Sequence, residues 1–349
     1  MGHAGDMNLR LLAVAAATSL ALAACSSSSD PAEKPAPGAS KGTAKPLVEV
    51  SPLTGKAMKK GRPDNPVFVV KIENTDGGAP QYGLDHADMV IEELVEGGLT
   101  RLAAFYYSSL PSKVGHVRSL RTSDIGIAGP VGGQIVASGG ASGAYRKVEK
   151  AGIRVFSEDG GAPGFSSDPL KVRPYNRLID LKTVNRKAKR TRIPGPYLPW
   201  APASGAKAAA PKAGAATTPA PKKATAATVR FSDFTTTSWA LKGGKWVRTN
   251  GHAEAGKDFK ADTMIVLSCR VGDAGYTDPA GNPVPETVFE GRGEARVFHG
   301  DEVTSVTWVK SGLKKGLRFE TADGKPYRIN PGHVFLELVP KDGGGVTLG

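Results

Sequence analysis

The sequence predicts an α/β (α+β) protein. A mixed-sheet N-terminal domain with helices spans residues 47–200, and a smaller, mainly β C-terminal domain spans residues 228–341. In the first segment, apolar runs of strand length alternate with a helix-like stretch. In the second, the apolar runs are short and broken by Gly, Asp and Pro. Between them, residues 201–227 are dominated by Ala, Pro and Lys and hold no aromatic residue. Such a run is either an interdomain linker or a surface insertion, because long insertions cost little free energy.

The elements follow in order. Residues 66–73 (PVFVVKIE) form a short apolar run that ends at Asn74 and a Gly77-Gly78 turn, which suits a buried strand. Residues 89–107 (MVIEELVEGGLTRLAAFYY) are two strand-like runs separated by Gly97-Gly98, hence a hairpin. Residues 134–138 (QIVAS) form a further strand, and after Gly139-Gly140 a helix runs from about Ser142 to Ala151 and stops at Gly152. The second segment reads as hairpins, one of them closed near His299-Gly300-Asp301.

The N-terminus sets the compartment. Arg10 precedes an apolar run over residues 11–24 that is shorter than the ~20 residues of a comfortable bilayer span, so residues 1–24 read as a signal peptide. Residues 22–25 (LAAC) have the form of a lipobox, which makes Cys25 the lipidation site. Met7 also suits as the start. Residues 25–46 are rich in Ser, Pro and Lys and read as a disordered tether. The expected location is the outer face of the bacterial cytoplasmic membrane, with the membrane as partner through the lipid on Cys25.

That location frames the formal charge of +13. Outside the cytoplasm no nucleic acid is expected, and the available polyanions are lipid headgroups, teichoic-type polymers and peptidoglycan carboxylates. Residues 182–192 (KTVNRKAKRTR) concentrate six of the cations without an acid; a solvated surface run is the ordinary reading. With Cys25 lipidated, Cys269 stands alone, so no intrachain disulfide forms, and its strand-like surroundings suit a buried structural thiol. His86, His116, His252, His299 and His333 have no paired spacing, so no metal and no cofactor are expected.

Three constellations carry candidate chemistry. A three-residue turn at Glu96-Gly97-Gly98 would pair Val95 with Leu99 and set Glu93 opposite Arg101. On period two, Glu93 shares the apolar face of Met89 and Ile91, whereas Glu92 and Glu96 lie on the other. A carboxylate on an apolar face needs a partner, and Arg101 can supply a bidentate one. Ser138-Gly139-Gly140 joins a strand to a helix and reads either as a tight turn or as an anion cradle. It matches neither a nucleophile elbow nor a Walker loop. In residues 115–124 (GHVRSLRTSD), Arg118 and Arg121 precede Ser123, a good N-cap for a short helix running toward Gly129-Pro130. The two arginines can grip one anion with the Ser119 and Thr122 hydroxyls, or pair with Asp124 or a hairpin glutamate.

Together with residues 62–63 (RP), 70–74 (VKIEN), 80–93 (PQYGLDHADMVIEE) and 174–176 (PYN), these stretches resemble the N-terminal half of the YerB-like lipoproteins. Residues 291–298 (GRGEARVF), 308–310 (WVK) and 331–340 (PGHVFLELVP) are similar to that family's C-terminal half. The resemblance implies an envelope lipoprotein with an α/β domain and a smaller second domain, and it brings no assigned function. It marks Asn74, Glu93, Glu96, Thr100, Arg101, Arg118, Ser119, Arg121, Ser138 and Asn176 as the recurrent polar positions. The chain departs from the pattern at His116, where proline is expected, at Tyr175, where histidine is expected, and at Gly78-Ala79, where an arginine is usual before Pro80.

The resulting expectation is a polar pocket built by Arg118, Arg121, Arg101, Glu93, Asn74 and the Ser138-Gly139-Gly140 turn. It would bind an anionic envelope polymer or precursor: a cell-wall precursor, a glycopolymer or a peptide carboxylate. Two alternatives stand beside it. One is a cell-wall hydrolase or transferase with Glu93 or Glu96 as general acid or base. The other is a scaffold that docks a membrane-protein partner.

Overall fold

The computed structural model describes residues 49–202, 220–278 and 281–349. The signal peptide, Cys25, the tether and residues 203–219 of the Ala/Pro/Lys run lie outside the described residues.

The first strands are β1 (Phe68–Glu73), β2 (Met89–Leu94) and β3 (Thr100–Tyr106). Antiparallel pairing places β3 between β1 and β2. They sit inside a larger sheet. On the β1 side, Gln134–Ala137 pairs parallel with β1 and Val155–Ser157 pairs parallel with Gln134–Ala137. On the β2 side, Val334–Pro340 pairs parallel with β2 and parallel with Thr263–Thr277 on its other edge. Gly291–His299 and Glu302–Lys310 continue the sheet as a hairpin closed by Gly300 and Asp301, with Gly300 at φ +55°. One sheet therefore takes strands from both sequence segments, and Leu47–Gly349 forms one compact unit.

Alternation along β1, β2 and β3 explains the two cores. Val67, Val69, Met89, Ile91, Ala103 and Phe105 point to one face. Phe68, Val70, Val90, Leu102, Ala104 and Tyr106 point to the other. Both faces are covered, which is why these strands read as nearly continuous apolar runs. The first face carries helices α1 (Asp124–Ala128) and α2 (Ser142–Lys150), through Ile125, Ile127, Ala144 and Val148. The second carries a small sheet with Trp239 and Trp246, and a three-stranded sheet that includes Arg177–Ile179. Helix α3 (Leu181–Asn185) buries Leu181 and Val184. The helices are short, so the fold is mostly β within the mixed class that the sequence predicts.

Part of the Ala/Pro/Lys run is folded. Lys222–Lys223 pairs with Val303 and Glu302, and Ala226–Arg230 forms a strand of the small sheet, with Ala224 and Ala227 buried. Cys269 is buried, and burial pushes its thiol far up.

Candidate functional site

The hairpin has the predicted register: the Val95 amide donates to the Leu99 carbonyl at 2.8 Å, and Glu93 faces Arg101. Gly97 and Gly98, at φ +70° and +69°, make the turn at little steric cost. The ion pairs differ from the expected one. Glu93 is fully buried and is held by the Lys71 ammonium and the Ser123 hydroxyl. Lys71 lies on β1 opposite Ala103, a side chain small enough to let the ammonium pass over β3. Its second partner is Asp124, at 2.6 Å. Ser123 is the residue before α1, as predicted, yet it makes no capping bond because its hydroxyl serves Glu93.

Arg101 turns instead to Glu96, at 3.2 Å, and Arg121 grips the same carboxylate through Nε, at 2.9 Å, and through its terminal nitrogen. Glu96 sits in the turn, which frees its side chain from strand alternation and lets it fold onto the Glu93 face. Arg118 takes Glu73 at 3.1 Å and lies over the Tyr175 ring at 4.9 Å. Lys71, Arg101, Arg118 and Arg121 are thus matched by Glu73, Glu93, Glu96 and Asp124.

The electrostatics follow from these pairings. Burial would raise Glu96, but the hydrogen bond from Arg121 and the charges of Arg101 and Arg121 hold it down at about 2. Burial, reinforced by the charge of Arg121, brings Arg101 down to about 10. Burial lifts Asp124 to about 6, against the pull of Lys71. Burial also works to lower Lys71, but Asp124 and Glu93 outweigh it and its value is raised.

Above this charged layer opens a cleft of about 420 Å³, where Gln134–Ala137 ends and the chain bends into α2. Ser119, Arg121, Ser138, Gly139 and Gly140 line it, facing Arg173, Arg177, Glu158 and Tyr276. The Ser138 hydroxyl and the Gly139 and Gly140 amides make no hydrogen bond to other described residues. Arg173 and Arg177 bind Glu158, at 2.9 Å for Arg173 and 2.8 Å for Arg177 Nε.

Five of the predicted residues therefore meet in the cleft. Glu96 and Arg101 lie behind Arg121, Arg118 stands beside Pro174 at its rim, and Glu93 is sealed beneath. Asn176 is half-buried, and its Oδ1 finds no partner among the described residues. Asn74 and Thr100 are elsewhere: strand alternation sends them to the opposite face, where Asn74 donates to Glu92 at 3.0 Å and to Thr100 at 2.9 Å. There Asn74 Oδ1 accepts from Arg248 at 3.1 Å, and Glu92 faces Glu337 across paired strands. Burial and the Glu92 charge raise Glu337 well above the usual carboxylate range, and burial raises Glu92 despite Arg248. The Lys182–Arg192 cations are all exposed, and the run is held by other groups: Val184 is buried, Gln134 donates to the Lys189 carbonyl at 2.6 Å, and the Thr191 hydroxyl donates to the Gly132 carbonyl at 3.0 Å. It lies at the start of Gln134–Ala137, the opposite end from the cleft.

Sequence reasoning missed Lys71, Glu73, Glu158, Arg173, Arg177, Arg248, Tyr276 and Glu337. Lys71 carries a signal, since a lysine inside FVVKIE must be paired if the strand is buried on both faces. Tyr276 carries none, because only the tertiary fold brings it to the cleft.

Among the described residues no helix is long and apolar enough to cross a membrane, and no His, Cys, Asp and Glu group could hold a metal. The chain is 40% identical over 108 residues to a Bacillus subtilis protein named "Putative lipoprotein YerB"; this covers 31% of the chain and 32% of that protein. The aligned part is thus about a third of the relative's length. The crystal structure of Bacillus subtilis YerB shares the fold with a TM-score of 0.68 at 19% identity, over 86% of this chain and 99% of that one. Residues 53–194 match the N-terminal domain, and residues 227–336 the C-terminal domain, of "Protein of unknown function (DUF3048)". With both domains matched in order and the YerB fold over 86% of its length, the chain belongs to the YerB-like DUF3048 family.

Proposed function

We propose that the protein is a lipid-anchored, extracytoplasmic binding protein that holds an anionic cell-envelope ligand, such as a cell-wall precursor, a glycopolymer or a peptide carboxylate. The lipobox ending at Cys25 and the similarity to a protein named as a lipoprotein support the anchor. The observation that carries the binding reading is the cleft at Ser138–Gly140, whose hydroxyl and amides are unspent donors. It opens where a parallel strand ends and a helix begins, a place where the positive helix end and free N–H groups favour an anion. Arg101, Arg118 and Arg121 already hold carboxylates, so their part is to fix the floor. Arg173, with its side chain 69% exposed, is the cation at the rim. An acid–base role for the two hairpin glutamates has no support in this geometry. Glu93 is sealed from solvent, and Glu96 at about 2 holds no proton to give near neutral pH.

The test is retention of fractionated envelope polymers and muropeptides by the protein, with mass spectrometry of what is retained. Gly139→Val is the control. A Cβ at Gly139 would meet the exposed Asp159 carboxylate, which can swing away while the new side chain fills the cleft. Retention of an unmodified anionic ligand, weakened at least tenfold in the variant, supports the reading. A new product mass makes the protein an enzyme, and equal retention by both proteins removes the cleft from its function.

A further inference from the structure

We infer that the cleft continues into a cationic groove along α2 and that the two together hold a linear, base-free phosphodiester polymer, a polyol phosphate chain. This rests on the binding reading above and narrows its ligand class. A second cleft, of about 520 Å³, adjoins the first and shares Ala141, Tyr276 and Thr277 with it. The two differ in charge. The lining of the first holds three cations, Arg121, Arg173 and Arg177, and three acids, Glu158, Asp159 and Asp278. The second is lined by Arg146, Lys147 and Lys150 and by no acid.

The wall between them is built to stay in place. The Tyr276 ring lies against Gly143 of α2, where a Cβ would stand 3.1 Å from it, and its hydroxyl accepts from Thr122 at 3.2 Å. Lys147 ties α2 to the Ala274 carbonyl at 2.8 Å and reaches Glu286 at 3.4 Å. Arg146 and Lys150 are exposed and enter no ion pair among the described residues. Four residues apart, they project from the same face of the helix about 6 Å apart along its axis.

A small anion would satisfy the first cleft and leave these two cations idle. A chain with a charge on each repeat can seat one group at Ser138–Gly140 and set the next charges against Arg146 and Lys150. A polyol phosphate chain, a phosphodiester without bases, fits better than a nucleic acid, because the two linings hold a single aromatic ring, Tyr276, which packs against Gly143, whereas single strands are held by stacking successive bases on several rings.

The experiment measures binding of poly(glycerol phosphate), glycerol phosphate and a single-stranded oligonucleotide of equal charge to the full chain in detergent, with Arg146→Glu/Lys150→Glu and Gly139→Val as variants. Both altered cations are exposed, and unchanged thermal midpoints will confirm that the variants fold. The wild type should bind the polymer at least tenfold tighter than the monomer, with affinity falling as salt rises. The double charge reversal should remove that tenfold gain and leave the monomer unaffected. Gly139→Val should weaken both. Equal polymer binding by the charge variant, with loss in Gly139→Val, overturns the groove and leaves the cleft standing. An oligonucleotide bound as tightly as the polymer overturns the ligand class, and a wild type that binds neither phosphate probe overturns the groove whatever else the cleft retains.

Discussion

Removing the Lys71 ammonium would leave Glu93 and Asp124 buried without their shared cation. Breaking a buried pair from one side costs about 3–5 kcal/mol, so Lys71→Met should lower the unfolding free energy from urea titration by that order, and Asp124→Asn in the same chain should recover part of the loss. Asp124 also makes a pH prediction. Its folded value is about 6 against 3.8 for the free group, so the folded state keeps a proton that the unfolded state has released. Its contribution to stability is fully present below 3.8 and is lost as pH rises through about 6. Between pH 7.5 and 5 the wild type should therefore gain stability relative to Asp124→Asn, read as the difference between their urea midpoints. Glu96 does not disturb this window, because its stabilisation fades only as pH falls below about 4.5 toward 2. At this scale the sequence was half legible. The need for a partner for Glu93 follows from its apolar face, but the partner comes from β1, two strands away, and no spacing in the hairpin reveals it.

At the scale of elements, the strands at Phe68–Glu73 and Gln134–Ala137, the hairpin with its turn and the helix at Ser142–Lys150 were readable from local period and glycine stops, whereas short strands such as Val155–Ser157 and Arg177–Ile179 were not. What local pattern cannot report is which end of the sheet an element occupies. The basic run packs where Gln134–Ala137 starts and the cleft opens where it ends, and neither position shows in the local spacing of the sequence. Neutralising the six cations of residues 182–192 should therefore leave ligand retention by the cleft within twofold. If the run meets anionic lipid, the same change should abolish liposome binding that weakens steeply between 50 and 300 mM salt, on the order of the shortening Debye length. Salt-independent binding to liposomes would assign the run to solvent.

The whole molecule is organised by one strand that sequence reading places near the end of a separate second segment. Val334–Pro340 is fully buried and bonds β2 on one edge and Thr263–Thr277 on the other, both in parallel. Its short, nearly continuous apolar run suits a buried strand but names no partner, and parallel neighbours can come from any distance along the chain. The physical consequence is that residues 47–200 do not own a closed sheet: without Val334–Pro340, β2 exposes a row of unpaired backbone groups beside Met89 and Ile91. Glu92 would face water where it now faces Glu337, and the network through Asn74 and Arg248 would lose one wall. A chain ending at residue 330 should thus lose the N-terminal half as well as the tail. Limited proteolysis should degrade it throughout, with no protected fragment over residues 47–200. The intact chain should unfold in urea as one transition, with the fluorescence of its four tryptophans and far-UV circular dichroism giving coincident midpoints. A stable fragment over residues 47–200, or two separated transitions, would mean that the two halves fold independently and that the shared sheet forms only when they dock.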